Sequence, residues 1–304
     1  MVFSLPIFPS LEASLAERTA TTLFLDAYGV FWVGNAQGAF PGAVQTMERL
    51  FASGKKIGIL SNSTQLAQSE MTKYEKKGFV QGRHFHILVT SGELARAQFS
   101  SGTLPFPTPR KTYCLFCPAS SRYGSHLRLF ETSPFRETDN LNEADFIYIN
   151  VPHINDEDSE SIEPFRPMVE RFVASQKPMV CANPDRYAHE GLPARPVVRQ
   201  GAIALLYEQM GGKVLYIGKP YPHIYATALA LLNLRSPTQK SEIMMVGDTP
   251  ETDIRGARSF GIHSALVTQT GIMAEAIAHR GLNDALQALP PTDVPDLLIE
   301  RFAP

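Results

Sequence analysis

Short apolar runs alternate with amphipathic stretches along nearly the whole chain, which is the pattern of βα units stacked into a largely parallel sheet. Thr22–Leu25 reads as a strand that runs straight into Asp26. Residues 29–39 carry glycines and large apolar side chains and predict a turn with a small hairpin, followed by a helix over 41–53 that Gly54 stops. A strand over 56–60 ends in Ser61-Asn62-Ser63-Thr64, a helix over 66–77 ends at Gly78, and a strand follows over 86–89. From about Ser91 a second set begins, with strands over 112–117, 146–151 and Met179–Cys181, and helices around Tyr123 and over 163–174. After Asn183-Pro184-Asp185 the first rhythm resumes, with helices over 202–209, 223–232 and 250–260 and strands over 214–217, 243–246 and 264–267. The proline-bearing stretch 290–295 reads as a loop before a last short helix. The pattern predicts an α/β protein: a doubly wound parallel-sheet core from residues 1–90 and 200–304, with an inserted α/β domain over 91–199.

Composition narrows the function classes. The 304 residues carry 28 basic and 30 acidic side chains, a net charge of −2, which lacks the electrostatic footprint of a general nucleic-acid binder. Three cysteines, Cys114, Cys117 and Cys181, do not make a secreted disulfide framework and point to a reducing, cytoplasmic setting. Cys114 and Cys117 have redox or zinc spacing, but they lie in a run that reads as a buried strand, with no second such pair. The N-terminal apolar stretch holds Pro6 and Pro9 behind no basic segment, unlike a signal peptide. No run approaches the roughly 18 apolar residues of a membrane span.

In open α/β sheets ligands bind outside the carboxyl ends of the strands, so the residues just past each strand carry the chemistry. Asp26, Ser61, Lys219 and Asp248 all fall there, and Asp253 lies in the opening turn of the next helix. Converged, the three carboxylates and one lysine concentrate negative charge that a divalent cation would offset. All-oxygen ligands without His or Cys suit Mg²⁺, which shares its coordination with phosphate oxygens. Ser61, Lys219 and the backbone N–H groups of the Ser-Asn-Ser-Thr loop supply donors for a phosphoryl group, and Asp26 is left as a nucleophile. The chain has neither a Gly-x-x-x-x-Gly-Lys-[Ser/Thr] loop nor a Gly-x-Gly-x-x-Gly fingerprint. His84 and His86 share one strand face and read as packing residues, and Phe31, Trp32 and Phe40 read either as core or as a water shield over the site.

Four segments together resemble the haloacid dehalogenase-like superfamily of Asp-nucleophile phosphatases and phosphotransferases. They are Leu-Phe-Leu-Asp26-Ala-Tyr28-Gly-Val30, Ile-Leu-Ser61-Asn62, Gly218-Lys219-Pro220 and Val-Gly247-Asp248-Thr-Pro-Glu-Thr-Asp253. The insert ending in Asn183-Pro184-Asp185 is similar to the large α/β cap of the subgroup holding 4-nitrophenyl, pyridoxal and sugar phosphatases. The resemblance implies a Rossmann-like core with an inserted cap. It makes Asp26 the nucleophile, Ser61, Asn62 and Lys219 the phosphate-binding groups, and Asp26, the Tyr28 carbonyl, Asp248 and Asp253 the Mg²⁺ site. Asn183 and Asp185 mark a cap hinge or substrate contact. The implied partner is a small phosphorylated metabolite, with no nucleic acid and no membrane, and a homodimer is left open.

One departure stands out. The family's phosphatases carry a second Asp, the general acid and base, where this chain has Tyr28. A phenol with a pKa near 10 is a poor base at neutral pH, and such help is worth roughly 10² to 10⁴ in rate. The alternative expectation is therefore a catalytically weakened member that binds a phosphometabolite as a sensor or regulatory protein.

Overall fold

The apolar runs that end just before Asp26 and Asp248 become neighbouring strands of one sheet. The computed structural model describes residues 5–34, 37–120, 125–190, 195–234 and 237–304. The chain divides into two units, one of Met1–Ser61, Ala67–Val89 and Lys219–Pro304 and the other of Asn62–Leu66 and Thr90–Gly218.

The sheet of the first unit runs in the order Ile7–Ser10, Leu297–Arg301, His263–Val267, Ile243–Gly247, Thr22–Leu25, Lys56–Ser61, Ile87–Thr90. Pairing is parallel from Ile7–Ser10 across to Lys56–Ser61. Thr22–Leu25 and Ile243–Gly247 are buried at every position, as strands covered on both faces must be. From Thr22–Leu25 the chain moves to Lys56–Ser61 on one side, and from Ile243–Gly247 to His263–Val267 on the other. That reversal opens the crevice between their carboxyl ends where such sheets bind ligands.

Phe31 and Trp32 are fully buried, edge-on to Tyr74 at 5.7 and 5.0 Å between ring centroids, and Phe31 meets Phe79 at 5.1 Å. With Phe40 packed against the same cluster, these aromatics are interior packing. His84 and His86 are packing residues too: each Nδ1 accepts a backbone N–H, from Val80 and Ile57 respectively, and His86 stacks on Phe51 at 4.4 Å.

Two segments depart from the sequence pattern. The last element is a strand, Leu297–Arg301, and not the expected short helix. Leu297, Leu298 and Ile299 are fully buried between two flanking strands, and so short an apolar run has no period that separates strand from helix. Its edge neighbour, Ile7–Ser10, is disguised by Pro9, which an edge strand tolerates.

The second unit holds a five-stranded sheet in the order Val214–Tyr216, Met179–Cys181, Phe146–Ile149, Thr112–Phe116, Arg136–Glu137, every pairing parallel. Residues 200–218, expected in the core, belong to this unit instead. Val214–Tyr216 pairs with Met179–Cys181, and the helix Gln200–Gln209 buries Ile203 and Tyr207 against Val169 and Phe172. The switch back to the core thus falls at Gly218, because pairing rather than the Asn-Pro-Asp turn decides where the insert ends. Cys114, Cys117 and Cys181 are free thiols buried in this unit, and burial pushes Cys117 up to about 11. Cys114 lies in the strand Thr112–Phe116 as expected, whereas Cys117 falls one residue past its end, at φ +63. The helix expected around Tyr123 lies outside the described residues. The next described helix is Leu127–Phe130.

Candidate active site

Strand register sets the geometry. Leu25 lies opposite Val246 on one side and Ile59 on the other, so Asp26, Asp248 and Ser61 all emerge at the carboxyl end of the sheet. The Asp26 N–H donates to the Val246 carbonyl at 2.9 Å, holding the first residue past the strand in line with it.

Lys219 is almost wholly buried and donates to Asp26 Oδ1 at 2.5 Å and to Asp253 Oδ1 at 2.7 Å. Asp253 stands in a single widened helical turn, Pro250–Ile254, which leads into the helix Arg255–Phe260. Its Oδ2 accepts the N–H groups of Asp248 and Thr249, both at 3.1 Å. Gly247 allows this approach, since a Cβ there would overlap the Asp253 carboxylate. Asp253 is therefore a brace that fixes the Asp248 backbone and the Lys219 ammonium together.

Asp248 accepts Thr249 Oγ1 on Oδ1 at 3.1 Å and the Ile272 N–H on Oδ2 at 2.7 Å. One carboxylate oxygen from each of Asp26, Asp248 and Asp253 lies within 4.8 Å of the other two. Burial, then the charges of Asp26 and Asp253, push the Asp248 carboxyl well above its ordinary 3.8, while the Ile272 and Thr249 bonds pull it back. Three clustered carboxylates, two of them paired with one ammonium, are the donor set a hard divalent cation fits, because such an ion offsets the charge that burial makes costly.

The other sequence candidates fall as follows. Ser61 is buried at the end of its strand, and Tyr28 packs its ring against the cluster that holds Trp32 and Tyr74. In the second unit Asn62 donates its amide to Asp185 Oδ1 at 2.9 Å, and Asn183 Oδ1 accepts the Asp185 N–H at 3.0 Å. The Asn62 amide is thus committed to the Asn-Pro-Asp loop. Sequence reasoning missed Thr249 and Ile272, the two groups that hold the Asp248 carboxylate. The signal for Ile272 was available in Thr270-Gly271, a helix start directly past the strand His263–Val267.

Asp248→Asn is expected to raise the melting temperature of the metal-free protein by a few degrees at neutral pH. A carboxyl whose folded pKa lies above its unfolded value costs stability once the pH exceeds the unfolded value, and the amide removes that cost. Any stabilisation by added Mg²⁺ should disappear in the same variant. Thermal melts of both proteins with and without Mg²⁺ check both signs, and an undiminished Mg²⁺ shift would remove Asp248 from the site.

A doubly wound α/β sheet with an aspartate at its switch point, a buried lysine against it and further carboxylates around it defines a class of hydrolase. Two family models match the chain: haloacid dehalogenase-like hydrolase over residues 23–114, and HAD-hydrolase-like over residues 216–300. The chain belongs to the haloacid dehalogenase-like hydrolases. It is similar in fold to a haloacid dehalogenase-like hydrolase from Brucella suis, with a TM-score of 0.74 at 22% identity over 97% of this chain and 99% of that one. A possible sugar phosphatase from Cytophaga hutchinsonii superposes with a TM-score of 0.68 at 19% identity over 97% of each chain. A 4-nitrophenylphosphatase from Thermotoga maritima does so at 0.62 and 21%, over 93% of this chain and 94% of that one. Among curated proteins, a cardiolipin synthase / mitochondrial hydrolase fusion protein of Schizosaccharomyces pombe is 39% identical over 89 residues. That match covers 25% of this chain and only 15% of the fusion protein. No described helix is long and apolar enough to cross a membrane.

Proposed function

We propose that the chain is a Mg²⁺-assisted phosphatase acting on a small phosphorylated metabolite, a sugar or aryl phosphate, through an aspartyl-phosphate intermediate. The observation that carries this reading is the Lys219 bridge between Asp26 and Asp253 beside Asp248. The sugar and aryl phosphatases among its structural neighbours support the substrate class.

In this reading an Asp26 carboxylate oxygen attacks phosphorus, the bond from phosphorus to the ester oxygen breaks, and the leaving oxygen takes the electron pair. Lys219 holds the nucleophile in place and offsets negative charge as it builds on the phosphoryl oxygens. Ser61, at the end of its strand, orients that group. Asp26, the Tyr28 carbonyl and Asp248 would hold Mg²⁺, with Asp253 behind them, and the ion when bound supplies further charge neutralisation. The leaving oxygen takes its proton from solvent. Water then attacks phosphorus, and the bond from phosphorus to the Asp26 oxygen breaks. One water proton stays on the released phosphate while the other returns to solvent, restoring the Asp26 carboxylate. Tyr28 presents no carboxyl to protonate the leaving oxygen or to deprotonate that water.

The same residue favours a second reading, a weakened member that binds a phosphometabolite without efficient turnover. A panel of phosphorylated metabolites together with nitrophenyl phosphate, assayed with and without Mg²⁺, tests both. Mg²⁺-dependent phosphate release supports the enzyme, binding without release supports the sensor, and neither would sink both.

A further inference from the structure

The helix Gly271–Arg280 starts at an N-cap residue whose hydroxyl does not serve the helix. A threonine there ordinarily accepts an N–H from the second or third helical residue. Thr270 Oγ1 instead donates to the carbonyl of Gly29 at 2.6 Å, in the loop that follows Asp26. Asp248 fills the vacated role: its Oδ2 accepts the Ile272 N–H at 2.7 Å, and its backbone carbonyl accepts the Met273 N–H at 3.2 Å. Gly271 makes room for this, being at φ +71 with its Cα turned so that a Cβ would overlap the Asp248 carboxylate. Met273, buried against Ile254, Leu266 and Leu286, anchors the first turn.

We propose that Thr270 is a positioning residue: by tying the start of this helix to the loop after Asp26, it holds the Ile272 amide under Asp248 and sets the direction of the Asp248 carboxylate. Two backbone segments far apart in sequence are joined here by one hydroxyl, and the carboxylate lies between them. The helix end that receives the carboxylate also favours its charged form, since the N-terminal peptide dipoles point at it. The inference rests on the reading of Asp26 and Asp248 as a metal site.

The test is Mg²⁺ affinity by calorimetry on the wild type, Thr270→Val, Thr270→Ala and Thr270→Ser, with a thermal melt of each metal-free protein. Val keeps the shape and Ala removes the β-branch, and both lose the hydroxyl. Each is expected to bind Mg²⁺ roughly 10-fold more weakly, the scale seen when a group supporting a metal ligand is removed. Thr270→Ser should bind as the wild type does. A merely structural role would lower all the melting temperatures and leave affinity unchanged. Wild-type affinity in both Val and Ala, or a Ser variant as weak as they are, overturns the proposal. If the wild type itself binds no Mg²⁺, the reading of the site fails first and takes this inference with it.

Discussion

Asp26→Asn is expected to fold as the wild type does and to lose phosphate release from nitrophenyl phosphate by at least about 10⁴-fold, the scale of losing a nucleophile. The amide is nearly isosteric, and the backbone bond from residue 26 to Val246 does not involve the side chain. The amide oxygen can still accept from Lys219, which also keeps its bond to Asp253. What the variant lacks is a charged oxygen able to form an acyl phosphate. A thermal melt matching the wild type would assign the loss to chemistry. Turnover close to the wild-type rate would remove Asp26 from the nucleophile role.

The second large effect concerns Tyr28. With no acid to protonate the departing oxygen, the transition state leaves more charge on it, so rate should fall steeply as the leaving group becomes more basic. Nitrophenyl phosphate is therefore expected to be cleaved orders of magnitude faster than glycerol or sugar phosphates. Tyr28→Asp should raise alkyl phosphate turnover by up to roughly 10² to 10⁴ and aryl turnover much less. The substitution removes a ring packed against the Trp32 and Tyr74 cluster, so its melting temperature belongs beside its kinetics. A series of aryl and alkyl phosphates of graded leaving-group pKa makes the check, and a flat plot for the wild type would reveal another acid.

The sequence was most legible where burial on both faces makes a largely apolar run that ends at a residue of the charged cluster. Thr22–Leu25 before Asp26 and Ile243–Gly247 before Asp248 are of this kind, and the carboxyl-end rule then located the charged cluster. Leu297–Arg301 was illegible because three apolar residues between charges fit a strand or a helix turn equally well. The insert boundary was missed because Gln200–Gln209 and Val214–Tyr216 continue the same βα rhythm as the core, and only strand pairing assigns them. The supports of Asp248 were hidden for another reason. Ile272 acts through its backbone N–H, which its side chain does not advertise and which only the helix start at Thr270-Gly271 signals.

The order of the chain also bears on how the protein acquires its structure. Thr22–Leu25 lies between Lys56–Ser61, its neighbour in sequence as well as space, and Ile243–Gly247, which is synthesised only after the whole insert. Such non-local pairing is slow, because the entropy of closing the intervening chain is lost before the contact rewards it. The sheet over Thr112–Phe116, Phe146–Ile149 and Met179–Cys181 is built from shorter separations. Pulse-labelled hydrogen exchange during refolding should show its amides protected before those of Ile243–Gly247. On the ribosome, one flank of the strand that ends at Asp26 then waits unpaired, an apolar edge exposed to self-association until its last partner emerges.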